Sequence, residues 1–480
     1  MQSDFEPETN RHNNRCRNPI STHQRTRQKY CRWALTTACK LRGANDNCSG
    51  SIPVFLEYLP DTARYLVPAI GNSLHMRLFF SVGEPSGDLH GANLIRSLRA
   101  IDPSCAVCGY GGPRMAAAGC EMLADLTQLA VMGVSQAVTN LPSFYRLFRK
   151  AERYLAQTRP DAVILIDYPG FNWWIARAAK KHGIPVFYYG VPQMWAWAGW
   201  RVRKLRRLVD HVLCKLPFEV DWFQQRGCAA TYVGHPFFDE LQQRQLDSRF
   251  LARQQQQDGP LVTLLPGSRK QEVARNLPVF LDTAERIFKE VPTARFAVAS
   301  YNEEHARTAR QYIAENQLPI EVYTGQTPEL IHAATCCLAC SGSVSLELLF
   351  HLTPTVIHYR VPRIVKLLAR HLLLQVKYFT LVNLLAAKDA FQPSHQGYHP
   401  ADPNAADVPF PEYLTDRGMA PQLAPHLIEW LTSPASLQAQ HDRLARLKLE
   451  VAHGGASDRA ATYILNQLAS SKPDRRMSAA

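Results

Sequence analysis

Met76-Arg77-Leu78-Phe79-Phe80-Ser81-Val82-Gly83-Glu84-Pro85-Ser86-Gly87-Asp88 is the stretch on which the fold turns. Leu78–Val82 is an apolar run of strand length, and Gly83–Asp88 after it are small or polar. Small residues let the backbone turn sharply out of a strand, leaving polar side chains at its tip. Downstream, Leu89–Ala100 repeats Ala92, Ile95 and Leu98 along one face, the 3.6-residue period of a helix. A buried strand, a small-residue turn and an amphipathic helix make the opening unit of a parallel sheet covered by helices.

The unit recurs along the chain. Further strands are expected at Ala106–Tyr110, Ala162–Ile166, Val186–Gly190 and Val209–Cys214. A second series begins near Gly259, with Leu261–Leu265, Arg295–Ala299, Glu321–Thr324, Cys336–Cys340 and Thr355–Tyr359. A chain of 480 residues is too long for one hydrophobic core. The fold class is therefore α/β: two Rossmann-like, doubly wound parallel-sheet domains facing a cleft. The expected division is an N-terminal extension over 1–75, a first domain over 76–245 and a second over 246–450. The remainder, 451–480, reads as a helix, able to pack back on the first domain, and a tail. The Gln-rich stretch 242–257 serves as linker and exposed helix, residues 390–411 as a long loop, and 422–471 as helical.

Residues 1–50 are rich in Arg, Asn, Gln, Thr and Ser with little apolar periodicity, so the extension is expected to be mostly disordered. A methionine directly before the first strand makes Met76 a candidate translation start, which N-terminal sequencing of the native protein tests.

At 46% apolar and 20% charged, the composition is that of an ordinary globular protein. The net charge of +13 suits nucleic acid, an anionic membrane surface, a phosphorylated substrate, or no dedicated partner. An aromatic-basic RNA motif and a helix-turn-helix pattern are both missing, which disfavours nucleic acid. No apolar run approaches the roughly 18 residues of a membrane span, and the N-terminus has no signal-peptide pattern. A cytoplasmic protein with peripheral membrane contact is expected. Cys105-Ala-Val-Cys108 and Cys337-Leu-Ala-Cys340 have CxxC spacing inside apolar runs, where cysteine behaves as a small hydrophobe.

Candidate chemistry sits at the strand tips. Glu84, Ser86 and Asp88 follow the first strand, with Ser86 or Asp88 also able to cap the helix. Gly109-Tyr-Gly-Gly-Pro-Arg-Met115 is a glycine turn without the dinucleotide spacing. Asp167 ends Ala162–Ile166, where a general base belongs, or where a structural aspartate orients a loop. Trp195-Ala-Trp197 with Arg201 puts aromatics and a cation on one loop, for packing or for sugar and acyl faces. In the second half Pro266-Gly267-Ser268-Arg269 leads from strand to helix, an arrangement that binds anions. A second such turn is Ser341-Gly342-Ser343, with Glu347 one helical turn on and able to bond ribose hydroxyls. Two phosphate-type turns without a Walker lysine favour a nucleotide-sugar over ATP.

Taken in order, Gly83-Glu-Pro-Ser-Gly-Asp88, Gly111-Gly-Pro-Arg-Met115, Ala130-Val-Met-Gly133, Ile166-Asp167, Trp195-Ala-Trp197, Leu216-Pro-Phe-Glu219, Gly234-His-Pro236, Leu265-Pro-Gly-Ser-Arg269, Ser341-Gly-Ser343, Leu346-Glu347 and Val382-Asn383-Leu-Leu-Ala386 resemble the motifs of the lipid-A-disaccharide synthase family. The resemblance covers nearly everything from Met76 onward. It implies a GT-B fold at the cytoplasmic face of the inner membrane. It also implies transfer of diacylglucosamine from UDP to diacylglucosamine 1-phosphate, forming a β-1,6 linkage. Inversion requires one base, for which Asp167 stands first and Asp88 and Glu84 are alternates. Arg269, Gly267, Ser268, Ser341, Gly342 and Ser343 are expected to hold the diphosphate without a metal, and no cofactor is implied. Glu347 is expected at the ribose, Asn383 along the donor site, and Ser86, Met132, Trp195 and Arg201 on the acceptor side. Apolar residues 130–134 and Leu141–Phe148, followed by Arg149 and Lys150, suit either ordinary core packing or acyl chains beside an anionic bilayer. The family usually has Thr at Pro85, Asp at Gly170, Arg at Ala198 and Gln near Thr415, and it lacks the long loop before Glu412. The alternative is another UDP-sugar GT-B enzyme, a peptidoglycan glycosyltransferase or a UDP-sugar epimerase.

Overall fold

The computed structural model describes residues 76–130, 141–368, 375–391, 398–400 and 405–471. The N-terminal extension and Met132 lie outside them.

The first sheet contains β1 Arg77–Val82, β2 Ala106–Gly111, β3 Glu121–Asp125, β4 Ala162–Ile166, β5 Val186–Tyr189, β6 His211–Cys214 and β7 Ala230–Tyr232. All its strands are parallel, in the order β3-β2-β1-β4-β5-β6-β7. The second contains β8 Leu261–Leu265, β9 Arg295–Ser300, β10 Ile320–Thr324, β11 Cys336–Ala339, β12 Thr355–Arg360 and β13 Glu412–Thr415. Its order is β10-β9-β8-β11-β12-β13, again parallel.

Both sheets are buried on two faces, which is why their strands read as near-continuous apolar runs. In the first, Phe79, Val163 and Leu165 enter one core, while Leu78, Phe80, Ile164 and Ile166 enter the other. Each sheet has a switch point where the direction of winding reverses. In the first it falls between β1 and β4, with Val82 opposite Ile166. In the second it falls between β8 and β11, with Leu265 opposite Ala339. Ligands of doubly wound sheets bind beyond the strand ends at such points. The topology thus brings Glu84 beside Asp167, and Pro266–Arg269 beside Ser341–Ser343.

The division into domains is less linear than the sequence suggests. The helix Pro236–Gln243, expected to close the first domain, places Phe238 and Leu241 in a core of the second. Conversely, Val376, Leu384 and Ala390 from the second domain's span join a core of the first. Phe391 stacks edge-on against Trp195 and Phe218 there. The last helix, Ala456–Ser471, inserts Ile464, Leu465 and Leu468 beside Leu94, Ile95 and Leu98. Asp239 fixes its start by accepting from the Ala456 and Ser457 amides, at 3.0 and 2.9 Å.

Candidate active site

The first strand tip is organised differently from its sequence reading. Glu84, not Ser86 or Asp88, is the N-cap of the helix Pro85–Ile101, and it makes no side-chain capping bond. Ser86 is exposed. Asp88 is only 3% exposed, and its carboxylate accepts from the amides of Gly112, Arg114 and Met115 at 2.8, 2.9 and 3.0 Å. It therefore fixes the glycine turn after β2, and its lone pairs are committed to backbone rather than to a substrate proton.

Asp167 stands at the tip of β4. It and Tyr168 follow β4 with φ of 45° and 42°, left-handed values that side chains other than Gly, Asn and Asp rarely adopt. The Asp167 carbonyl accepts from the Tyr188 hydroxyl at 2.6 Å and from Asn172 Nδ2 at 2.8 Å. Asn172 is itself tied to Ser81 on β1. The Asp167 carbonyl is thus held by two hydrogen bonds while the carboxylate makes no bond to this scaffold. Its Oδ1 lies 3.5 Å from Lys215 Nζ. Desolvation and the Asp167 charge push the Glu84 carboxyl up, while Lys215 and, from the second domain, Arg269 pull it down. The two strand tips therefore share one electrostatic environment with the first turn of the second domain.

In that second domain a cavity of about 470 Å³ opens at the switch point, lined by Gly267, Ser268, Ser341, Gly342, Ser343 and Glu347 among others. Gly267 has φ +123°, and a Cβ there would stand 2.6 Å from that of Glu272. The amides of Ser268 and Arg269, expected to be open for an anion, both donate to Glu272 Oε2 at 3.2 Å. Arg269 keeps a 79% exposed guanidinium, paired with Glu272 Oε1 at 2.9 Å. Ser343 is an N-cap without a side-chain capping bond. Glu347 is 6% exposed and bonds Arg244 at 2.5 Å. Burial pushes its carboxyl up and Arg244 opposes this.

Two expected site residues belong to the framework instead. Asn383 is fully buried, donating to the Phe410 carbonyl and to Glu412, and accepting from the Phe410 amide. Trp195 is 1% exposed, its Nε1 donating to Glu219. Its neighbours Trp197 and Trp200 are 49% and 72% exposed, with Arg201 over both rings at 4.9 and 5.0 Å. Sequence reasoning also missed groups of the site. Arg244 and Ser300 line the same cavity, and the buried Ser300 hydroxyl has no partner among the described residues. Its place at the end of β9 was the available signal.

Among the described residues no group of three or more His, Cys, Asp or Glu could hold a metal. The cysteines there are free and buried, and burial pushes the Cys105 and Cys108 thiols up to about 11.

Gly170, second in the helix Pro169–Lys181, has open space where a Cβ would stand. Gly170→Asp is expected to stabilise the protein by about 1 kcal/mol at neutral pH, through lost chain freedom and the helix dipole. The dipole part should vanish as pH falls below about 4, where the new carboxylate protonates. Thermal melts at pH 7 and pH 3.5 check it, and an unchanged or lower midpoint at pH 7 contradicts it.

Two facing Rossmann-like domains, with a nucleotide-type cavity at one switch point and carboxylates at the other, define a GT-B glycosyltransferase acting on a UDP-sugar. The chain belongs to the lipid-A-disaccharide synthase family, whose profile, described as lipid-A-disaccharide synthetase, matches residues 78–408. The lipid-A-disaccharide synthase of Trichlorobacter lovleyi is 33% identical over 396 residues, 82% of this chain and 97% of its own. That of Myxococcus xanthus is 36% identical over 315 residues, covering 65% and 82%. Among solved structures, a putative UDP-N-acetylglucosamine 2-epimerase from Listeria monocytogenes superposes with TM-score 0.57 at 11% identity, covering 83% of this chain and 98% of that one. The Neisseria meningitidis UDP-GlcNAc 2-epimerase bound to UDP-GlcNAc gives 0.52 at 12% identity, covering 83% and 100%. At such identity these two speak for the fold alone.

Proposed function

We propose that the chain transfers diacylglucosamine from UDP to the primary hydroxyl of diacylglucosamine 1-phosphate, releasing UDP and leaving a β-1,6-linked disaccharide. The observation that carries this reading is Asp167, fixed at the first switch point opposite the donor cavity of the second. The acceptor oxygen attacks the anomeric carbon as the bond to the UDP oxygen breaks, and Asp167 takes the hydroxyl proton. One displacement inverts an α-linked donor to a β product. Arg269 and the Ser341–Ser343 turn stabilise the departing diphosphate. Glu347 and Ser300 serve the nucleoside. Incubating the protein with both acylated substrates should give the disaccharide by mass and UDP only when the acylated acceptor is present. UDP release without it, or an epimerised UDP-sugar, sinks the reading.

Arg269→Ala should weaken donor binding about tenfold, the loss of one bidentate ionic contact, with the melting temperature unchanged because the side chain is 79% exposed. Calorimetric titration with UDP reads the effect, and an unchanged affinity removes Arg269 from the site.

Both substrates carry acyl chains, so a bilayer surface is their natural source. The helix Leu141–Thr158 exposes Leu141 by 66% and Tyr145 by 59%, and nearby Trp174 is 51% exposed against Phe148. Arg146, Arg149 and Arg153 share this helix. Apolar side chains beside cations suit peripheral binding to an anionic cytoplasmic leaflet. Among the described residues no helix is long and apolar enough to cross a membrane.

A further inference from the structure

We propose that Lys215 is the positioning residue of the Asp167 base, its ammonium orienting and fixing that carboxylate in the cleft beside Glu84. The inference rests on the reading of Asp167 as base.

Three features of the fold bring the ammonium to this point. Lys215 follows β6, two strands away from β4 in the sheet. Its backbone is anchored, since the amides of Lys215 and Leu216 both donate to Glu219 Oε2, at 2.9 and 3.0 Å. Glu219 is in turn fixed by Trp195 Nε1 at 2.9 Å. The intervening strand β5 is followed directly by Gly190, with φ +72°. A Cβ on Gly190 would stand 3.3 Å from Asp167 Oδ1 and 3.4 Å from Lys215 Nζ. The missing side chain is therefore the gap through which Lys215 reaches across β5 to Asp167.

The pair is sheltered, with side chains 16% and 21% exposed, so solvent screens it less than a surface ion pair. Other titratable groups face it from each neighbouring element. Glu84 stands on the turn after β1, and Lys215 pulls its proton affinity down while Asp167 raises it. His90, from the helix Pro85–Ile101, is lowered to about 4 by burial, and His235, at the start of Pro236–Gln243, is lowered also. Both are neutral at physiological pH. Asp239 and Glu240 of that last helix act on His90. Glu219 holds the Lys215 and Leu216 amides, the Tyr188 hydroxyl bonds the Asp167 carbonyl, Tyr168 lies beside Glu84, and Arg269 acts on Glu84 from the second domain. Near Asp167 the decisive opposition within the first domain is Glu84 against Lys215.

The role comes from the demands of the displacement. A base must be ionised when the acceptor hydroxyl arrives, and a neighbouring carboxylate works against that. An adjacent cation favours the charged form of a carboxylate and orients it without itself taking the proton. The proton passes from the acceptor hydroxyl to Asp167 and leaves to solvent after the product departs.

The test compares kcat/KM against pH for wild type, Lys215→Met and Lys215→Arg in the full chain, with UDP-diacylglucosamine and diacylglucosamine 1-phosphate. Removing a cation from beside the base should move the acid limb up by about one pH unit, and arginine should restore it. Lys215→Gln replaces the methionine variant if that one does not fold. A limb that stays in place, or a loss uniform across pH, overturns the proposal, because a purely structural lysine gives that pattern. Asp167→Asn run alongside separates the two layers. If it is inactive and the Lys215 limb has not moved, the lysine proposal alone fails. If it turns over normally, the base reading fails and takes the lysine proposal with it.

Discussion

Asp167→Asn is expected to lower turnover by roughly 10²–10⁴-fold while UDP binding and thermal stability stay near wild type. The size reflects the loss of a positioned proton acceptor, since an amide oxygen cannot carry the acceptor's proton away. The choice of asparagine matters because of the backbone. Asp167 and Tyr168 sit at φ 45° and 42°, and a left-handed pair of this kind costs on the order of 1–3 kcal/mol per residue in most side chains. Asparagine tolerates that region as aspartate does, and the bonds from Tyr188 and Asn172 go to the Asp167 carbonyl rather than its side chain. The substitution therefore leaves the strained turn intact and removes the chemistry alone. UDP affinity should hold because the donor cavity is lined by second-domain elements and the end of the connecting helix. A rate within a few-fold of wild type would transfer the base role to Glu84, whose exposed carboxylate lies on the adjoining tip.

The parts of this design that were legible in the sequence are those set by local pattern. β4 and β8 begin and end where their apolar runs do, and the residues after them fall at the two switch points. Strands that break the pattern were missed. β3 contains Glu121 and Asp125 and has no fully buried residue, and β7 is three residues long. β13 opens on Glu412, whose burial makes sense only once Phe379, Thr380 and Asn383 supply its hydrogen bonds. Burial pushes the Glu412 carboxyl up to about 7, and those bonds oppose the shift. The same long-range pairing explains why Asn383 read as a ligand group when it is a tie between segments. In Trp195-Ala-Trp197 the ring that turns inward is settled by Glu219, 24 positions away. Lys215 was invisible for a similar reason, because its meeting with Asp167 depends on strand order and on the gap at Gly190.

Asp88 shows how a carboxylate at a strand tip can look catalytic and be structural, and its substitution should separate the two. Asp88→Ala should destabilise the fold by about 3 kcal/mol, because the buried amides of Gly112 and Met115 and the half-buried amide of Arg114 lose their acceptor and each unsatisfied group costs on the order of 1 kcal/mol or more. Asp88→Asn should cost about half as much. Its oxygen can keep the bonds from Gly112 and Met115, both of which go to Oδ1, while its amide would face the donor of Arg114 on the Oδ2 side. Denaturant titration should therefore rank wild type above asparagine above alanine. Turnover per folded molecule of the asparagine variant should stay within a few-fold of wild type, with its pH profile unmoved. The opposite pattern, unaltered stability with a thousand-fold loss of rate, would put Asp88 at the reacting atoms and make its three backbone bonds a means of orienting a base.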